Sequence, residues 1–352
     1  MRIWVRIPNW VGDAVMSMPL LQCLANNFPD ADLRTITPVS VRPVLRGCPA
    51  LDHQLPYSRD GGWGLDQMRE FMRCVTHLRA HPGELGFILP NSFSSALMMW
   101  AGGVRWRIGY RRDMRGPLLS LPVERPQHPD GSFRPVYMVD YYLGLAEHVG
   151  LTVSNRETRL FYADHDRAEV KTILRNEGLD PDKPLFVLHC TAGYGPSKFW
   201  PSEYFAGLAD MLNESYGAQI ACIGAPAAHS FIRLVQDKSP VKIHDLSRCG
   251  IDLHLLKPLL DMSRLLITTD SGPRHYGVAL DTPTVCIMGP THPDYSTSNR
   301  PNDHVVTMDV ECGPCQEKEC PLGHHRCMVD LKPELVFDAC RAALREDDHD
   351  TH

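Results

Sequence analysis

Leu185-Phe186-Val187-Leu188-His189-Cys190-Thr191-Ala192-Gly193-Tyr194-Gly195-Pro196-Ser197-Lys198-Phe199-Trp200-Pro201 is the stretch on which the fold turns. An unbroken apolar run gives way to small residues. From Ser202 to Tyr216, Phe205, Leu208 and Leu212 then recur at helical spacing. Strand, tight loop and helix in that order predict a parallel strand, because helices cover both faces of such a sheet. Residues 218–223, 241–244, 265–268 and 284–288 repeat the apolar run, each followed by a polar or Gly-rich turn. Alternation of this kind predicts α/β architecture.

Towards the N-terminus the same unit appears again. Residues 2–7 read as a strand, and Pro8-Asn9-Trp10-Val11-Gly12 as the loop after it. Val15, Met18, Leu21, Leu24 and Phe28 mark one helix face, ended by Pro29-Asp30. Residues 86–90 are a later strand and 94–100 the helix behind it. Pro117, Pro122, Pro126, Pro129 and Pro135 mark an irregular loop over 120–135, and a helix resumes near Tyr137. Pro181-Asp182-Lys183-Pro184 reads as a linker. The division is therefore 1–180, 181–335, and 336–352 as a C-terminal helix with a disordered acidic tail from Arg345.

The 352 residues suit two domains, and an apolar fraction of 43% is enough for two cores. A net charge of -6 with mixed signs argues against a nucleic-acid binder. No apolar run reaches the ~20 residues that span a bilayer, and no signal peptide is visible. Of twelve cysteines, Cys190, Cys222 and Cys286 lie in apolar runs as small hydrophobes, and the scatter suits the reducing cytoplasm. The chain lacks G-x-G-x-x-G and G-x-S-x-G, which lowers the case for a nicotinamide or flavin enzyme and for an α/β-hydrolase.

Ligands of open α/β sheets sit beyond the carboxyl ends of the strands, and the polar motifs fall there. Asp13 opens the first helix, either as an N-cap or as a general base that the helix N-terminus keeps ionised. The loop from Thr191 to Lys198 can cradle phosphate, with Lys198 neutralising it, or it is a plain surface loop; Trp200 reads as packing. In Thr269-Asp270-Ser271-Gly272-Pro273-Arg274-His275 the helix start offers N–H groups to a diphosphate. Ser271 adds a hydroxyl, and Arg274 or His275 adds positive charge; a core histidine and a simple turn are the alternatives. Gly289 and Thr291 sit on another such turn. Arg105, Arg107, Arg111, Arg112 and Arg115 form a basic stretch that suits an anionic ligand or a solvated loop. Cys312-x2-Cys315-x4-Cys320-x6-Cys327 can hold structural zinc; free thiols, a redox disulfide or an iron–sulfur cluster are the other readings.

Taken in order, Asn9-Trp10-Val11-Gly12-Asp13, Ser197-Lys198-Phe199-Trp200-Pro201, the turn at Thr269–His275 and Gly289-Pro290-Thr291 resemble glycosyltransferase family 9. The pattern is similar to the lipopolysaccharide heptosyltransferases, heptosyltransferase II type, over residues 1–345. The resemblance implies a GT-B fold: two Rossmann-like domains with a cleft between them that closes over the substrates. It implies inverting transfer of heptose from ADP-L-glycero-D-manno-heptose to the lipopolysaccharide inner core. Asp13 is then the catalytic base. Thr191, Lys198, Asp270, Ser271, Gly272, Arg274, His275, Gly289 and Thr291 face the donor, and Asn9, Trp10 and the basic loop face an anionic glycolipid acceptor. No cofactor is required beyond the zinc option, and the protein works in the cytoplasm, peripheral on the inner membrane. The chain departs from the pattern at Thr191-Ala192, where relatives carry two hydroxyls. It departs again at Ala227-Ala228, where some place an acid for the ribose. Another nucleotide sugar or acceptor, or a non-catalytic nucleotide-sugar-binding protein, is the alternative.

Overall fold

The computed structural model describes residues 1–58 and 64–349, with side chains to Arg345. The chain divides into two compact units, Met1–Phe161 and Tyr162 onward. That boundary lies ahead of the Pro181–Pro184 linker because the helix Asp164–Asn176 is held in the second unit. Asp166 on this helix receives a hydrogen-bonded contact from His254 at 3.0 Å.

The first unit holds β1 (Arg2–Arg6), β2 (Asp32–Pro38), β3 (His53–Tyr57), β4 (Leu85–Ile88), β5 (Trp106–Tyr110) and β6 (Leu121–Val123). They form one parallel sheet in the order β3-β2-β1-β4-β5-β6. The second unit holds β7 (Leu185–His189), β8 (Gln219–Ile223), β9 (Ile243–Asp245), β10 (Leu265–Thr269), β11 (Thr284–Met288) and β12 (Asp303–Thr307). These are also all parallel, in the order β12-β11-β10-β7-β8-β9. Read from the first strand of each unit the two orders are the same, the doubly wound 3-2-1-4-5-6. Each sheet therefore has one place where the winding direction reverses, between β1 and β4 and between β7 and β10. There the loops after neighbouring strands diverge and leave a crevice.

The cores follow the apolar patterns. Trp4, Ile36, Ile88, Ala96 and Met99 pack in the first unit. In the second, Phe186, Leu188, Phe205, Leu208 and Leu212 are buried along β7 and the helix Ser202–Tyr216, each contributing ~1.5–3 kcal/mol. Trp200 is fully buried and donates its indole N–H to the Leu331 carbonyl at 2.8 Å, as a packing residue does. Cys190, Cys222 and Cys286 are buried as expected.

Three readings need correction. The single helix after β1 is two, Val11–Met16 and Met18–Asn27, broken where Pro19 cannot donate a backbone N–H and the Ser17 hydroxyl donates back to the Ala14 carbonyl at 2.8 Å. The proline-rich stretch 120–135 contains β6, an edge strand on which Pro122 leaves no ladder bond unmade on its open side. The C-terminal helix does not stop at Arg345 but is drawn over Pro333–His349; residues 350–352 lie outside the described residues. Among the described residues no helix is long and apolar enough to cross a membrane.

Candidate active site

The loop after β1 carries Asn9, Trp10 and Asp13. Trp10, not Asp13, occupies the N-cap of the helix Val11–Met16, and no side chain caps it. Asp13 sits inside the first turn, so the capping role does not apply. Its carboxyl is pushed up to about 6 by burial alone. The helix N-terminus does not hold it in the ordinary carboxylate range, yet at neutral pH the group is still mainly ionised. A base with this value is matched to its working pH. Asn9 is oriented by Arg6, whose Nη2 donates to Asn9 Oδ1 at 3.0 Å, and Trp10 is 57% exposed at the same edge.

The arginines separate. Arg111 and Arg112 follow the carboxyl end of β5 and are exposed, with loose pairs to Glu124 at 3.1 Å and Asp113 at 3.5 Å. Arg105 and Arg107 stand at the opposite end of β5. Arg107 is tied to the carbonyls of Leu118 at 2.7 Å and Val104 at 2.6 Å, and Arg105 lies over the Trp106 ring. Arg115 is fully buried and bonds the carbonyls of Tyr110 and Pro90 and the side chain of Asn91; burial brings it down to about 10. The structure thus brings Asp13, Trp10, Arg111 and Arg112 to the carboxyl edge of their sheet, but not Arg105 or Arg107.

In the second unit the loops after β7, β10 and β11 converge. Lys198 Nζ donates to Asp270 Oδ2 at 2.6 Å and to the Asp270 carbonyl at 2.8 Å, and both residues are buried. Thr291 Oγ1 donates to the same Oδ2 at 2.6 Å. Arg274 reaches Asp270 Oδ1 at 3.4 Å and grips Asp303 with Nε and Nη2, both at 3.0 Å. Ser296 and Thr297 accept from its remaining N–H groups at 3.0 and 3.2 Å. All five guanidinium donors are then engaged, so the charge of Arg274 is spent inside the protein rather than offered to a leaving group. Burial alone would raise Asp270. The charges of Lys198 and Arg274, with hydrogen bonds from Lys198 and Thr291, hold its carboxyl well below the usual range. Asp270 thus anchors Lys198 and Thr291.

His275 is buried and brought down to about 4, so it is neutral at physiological pH and supplies no charge. The Ser271-Gly272-Pro273 start is as the residues predict, with the helix Gly272–Ala279 opening at Gly272 and proline in its first turn. His189, which the sequence reading saw only as a strand end, orients Ser271: its Nδ1 lies 3.0 Å from Ser271 Oγ. Burial brings His189 down to about 4, so it pairs as a neutral ring. Asp303 and Asp245 were missed as well. Asp245 ends β9 and binds His229 at 2.6 Å, directly after the Gly224-Ala225-Pro226 turn. Thr191 lies at this edge too; its carbonyl accepts from Thr269 Oγ1 at 3.1 Å. Gly289 is required for packing, because a Cβ there would strike Met328 and stand 3.2 Å from Cys327 Sγ.

Cys312, Cys315, Cys320 and Cys327 line one cavity together with His324 and His325. Burial pushes Cys327 up to about 11, and the other three thiols push the same way.

Comparison with known proteins matches residues 71–326 to the family Glycosyltransferase family 9 (heptosyltransferase). Lipopolysaccharide heptosyltransferase 2 of Salmonella typhimurium is 27% identical over 99% of both chains. The Escherichia coli protein of the same name is 26% identical over 99% of this chain and all of its own. Among solved structures, a family 9 glycosyl transferase from Veillonella parvula superposes with a TM-score of 0.85 at 20% identity, covering 98% of this chain and 97% of that one. The structure of E. coli ADP-heptose lps heptosyltransferase II gives 0.79 at 24% identity over 99% and 100%. With both sheets wound in the same order, the polar loops at the two reversal points and the family match over most of the chain, this protein belongs to glycosyltransferase family 9.

Proposed function

We propose that the chain transfers heptose, with inversion, from ADP-L-glycero-D-manno-heptose to the inner core of lipopolysaccharide, working at the cytoplasmic face of the inner membrane as a peripheral protein. The reading rests on the Lys198–Asp270–Thr291 cluster at the β7/β10 reversal of a family 9 chain. The charges of Lys198, Arg274, Asp270 and Asp303 sum to zero, so the cluster is stable empty. Lys198 uses two of its three N–H donors on Asp270, and the third is directed to the donor diphosphate. The hydroxyls of Thr191 and Ser271 and the amide N–H at Gly272 complete the cradle. Asp245 is the acid offered to the ribose, in place of the one absent from Ala227-Ala228.

Asp13 accepts the proton of the attacking acceptor hydroxyl. The oxygen forms its bond to the anomeric carbon as the bond to the diphosphate breaks, and ADP leaves carrying the negative charge stabilised by Lys198. Trp10, Arg111 and Arg112 hold the anionic acceptor.

The test is ADP release with a heptose-bearing lipid core acceptor, run across ADP-heptose and a panel of other nucleotide sugars. Release specific to ADP-heptose supports the proposal. Release specific to another donor moves the chain to a different sugar. Tight ADP binding without turnover on any donor makes it a binding protein.

A further inference from the structure

A helix on a sheet buries one apolar stripe and turns its polar side to water. The helices Leu65–Ala80 and Phe93–Ala101 of the first unit depart from this pattern. On the first, Cys74, Val75 and Leu78 enter the core, while Leu65, Met68 and Met72 recur at i, i+3 and i+7 on the exposed side. On the second, Ala96 and Met99 enter the core. Phe93, Leu97 and Trp100 recur at i, i+4 and i+7 outside it, Phe93 and Trp100 exposed and Leu97 half-buried. Met68 and Trp100 keep 53% and 52% of their surface in water, so internal packing does not account for them.

The two stripes belong to one surface. Both helices pack on the same core and against each other. At their C-terminal ends Arg79 Nε donates to the Ala101 carbonyl at 2.8 Å, and a Cβ at Gly102 would strike Leu78. Just past this end Trp106 is exposed, with the Arg105 guanidinium over its ring at 5.5 Å. The unit's other packed helix pair, Met18–Asn27 and Met138–His148, exposes no large apolar side chain among the described residues. Isolated exposed apolar groups are ordinary; two adjoining stripes mark a contact surface.

Charge says what the surface meets. Residues 65–80 and 93–107 hold five arginines against two carboxylates, on a chain of net charge -6. Arg69 pairs with Asp66 at 3.2 Å and Arg73 with Glu70 at 2.7 Å, which leaves the positive surplus on Arg79, Arg105 and Arg107, beside the two tryptophans. Apolar side chains, bordering indoles and arginines are the set that enters a bilayer surface. The apolar groups reach the acyl boundary, the indoles sit at headgroup level, and guanidinium groups meet lipid phosphates. A second copy docked by a two-fold axis would instead lay these arginines against their own counterparts.

We propose that this surface of the first unit, from Leu65 to Trp106, docks on an anionic phospholipid bilayer. It gives Arg105 and Arg107 a role at the end of β5 away from Asp13. The docking claim stands on the surface itself; its bearing on transfer to a lipid acceptor rests on the function proposed above.

The experiment sediments the full chain with vesicles of phosphatidylethanolamine and phosphatidylglycerol, or of phosphatidylcholine alone. We expect binding to the anionic vesicles, weakened by salt, and at least tenfold weaker binding to phosphatidylcholine. Met68→Glu/Met72→Glu on one helix and Trp100→Glu on the other should each reduce binding at least tenfold with the melting temperature unchanged. If Trp100→Glu does not fold, the methionine pair decides. Arg79→Gln/Arg105→Gln should cost roughly tenfold or more, at about fivefold per arginine. The methionine variant should keep its rate on an acceptor stripped of acyl chains and lose rate on one embedded in vesicles. No binding to anionic vesicles, or variants that bind as the native chain does, would overturn the proposal. So would a native dimer by light scattering that the methionine variant splits. Vesicle binding by a chain that releases ADP from no nucleotide sugar would keep the docking surface and overturn only the proposed function.

Discussion

Asp13 and Asp270 flank the reversal points of two sheets of identical strand order, Asp13 after the first strand of its unit and Asp270 after the fourth of its own, and their carboxyls are driven in opposite directions. Asp13 is desolvated without compensation, and its carboxyl rises to about 6. Asp270 is also desolvated, but two cations and two hydrogen bonds overcome that cost. One fold thus holds one carboxyl near neutrality and another as a permanently charged anchor. Burial alone does not decide the outcome; partners do.

The largest effect expected on stability comes from removing the anchor. Asp270→Ala leaves Lys198 buried without its counter-charge and Arg274 with Asp303 alone, so unfolding in urea should show a loss of about 3–5 kcal/mol. A loss below about 1 kcal/mol would mean that Asp303 alone satisfies the cluster. Lys198→Met should weaken donor binding by roughly 10–100-fold, the worth of one charge-assisted hydrogen bond, in a calorimetric titration with ADP.

Acid should separate the two carboxyls. Asp13 has a raised folded value, so its contribution to stability falls as pH rises from about 4 through about 6 and is flat above that. Asp270 has a depressed value, so its contribution is full above the ordinary carboxylate range and is lost as pH falls below about 4. Activity should rise through pH about 6 as Asp13 ionises, and a kcat/KM profile without that limb would contradict the assignment of the base. The smallest effect is Ser271→Ala, which removes the contact with His189 for about 0.5–1.5 kcal/mol and slightly weakens ADP binding.

Much of this was legible in the residues. The strands buried on both faces, β7, β8, β10 and β11, announce themselves as apolar runs. The turns after them fall where ligands bind in such sheets. Strands at or near the edges were harder to see. β3 and β6 carry Pro56 and Pro122, and β12 is only half-buried, so none shows a clean run. Side-chain partnerships were not legible at all. Arg274 looks like a free cation until Asp303, 29 residues on, is found to occupy it. His275 looks like a second charge until burial is known to neutralise it. Periodicity reports which face is covered, not which distant group lies under the cover.

The most direct test is Asp13→Asn, followed by kcat and thermal stability at pH 7. The raised carboxyl costs the native state up to about 3 kcal/mol, so removing its charge should leave the melting temperature unchanged or higher. At the same time kcat should fall by ~10²–10⁴ with donor affinity kept. A variant that turns over within about tenfold of the native protein, or melts lower as Asp270→Ala does, would contradict the account.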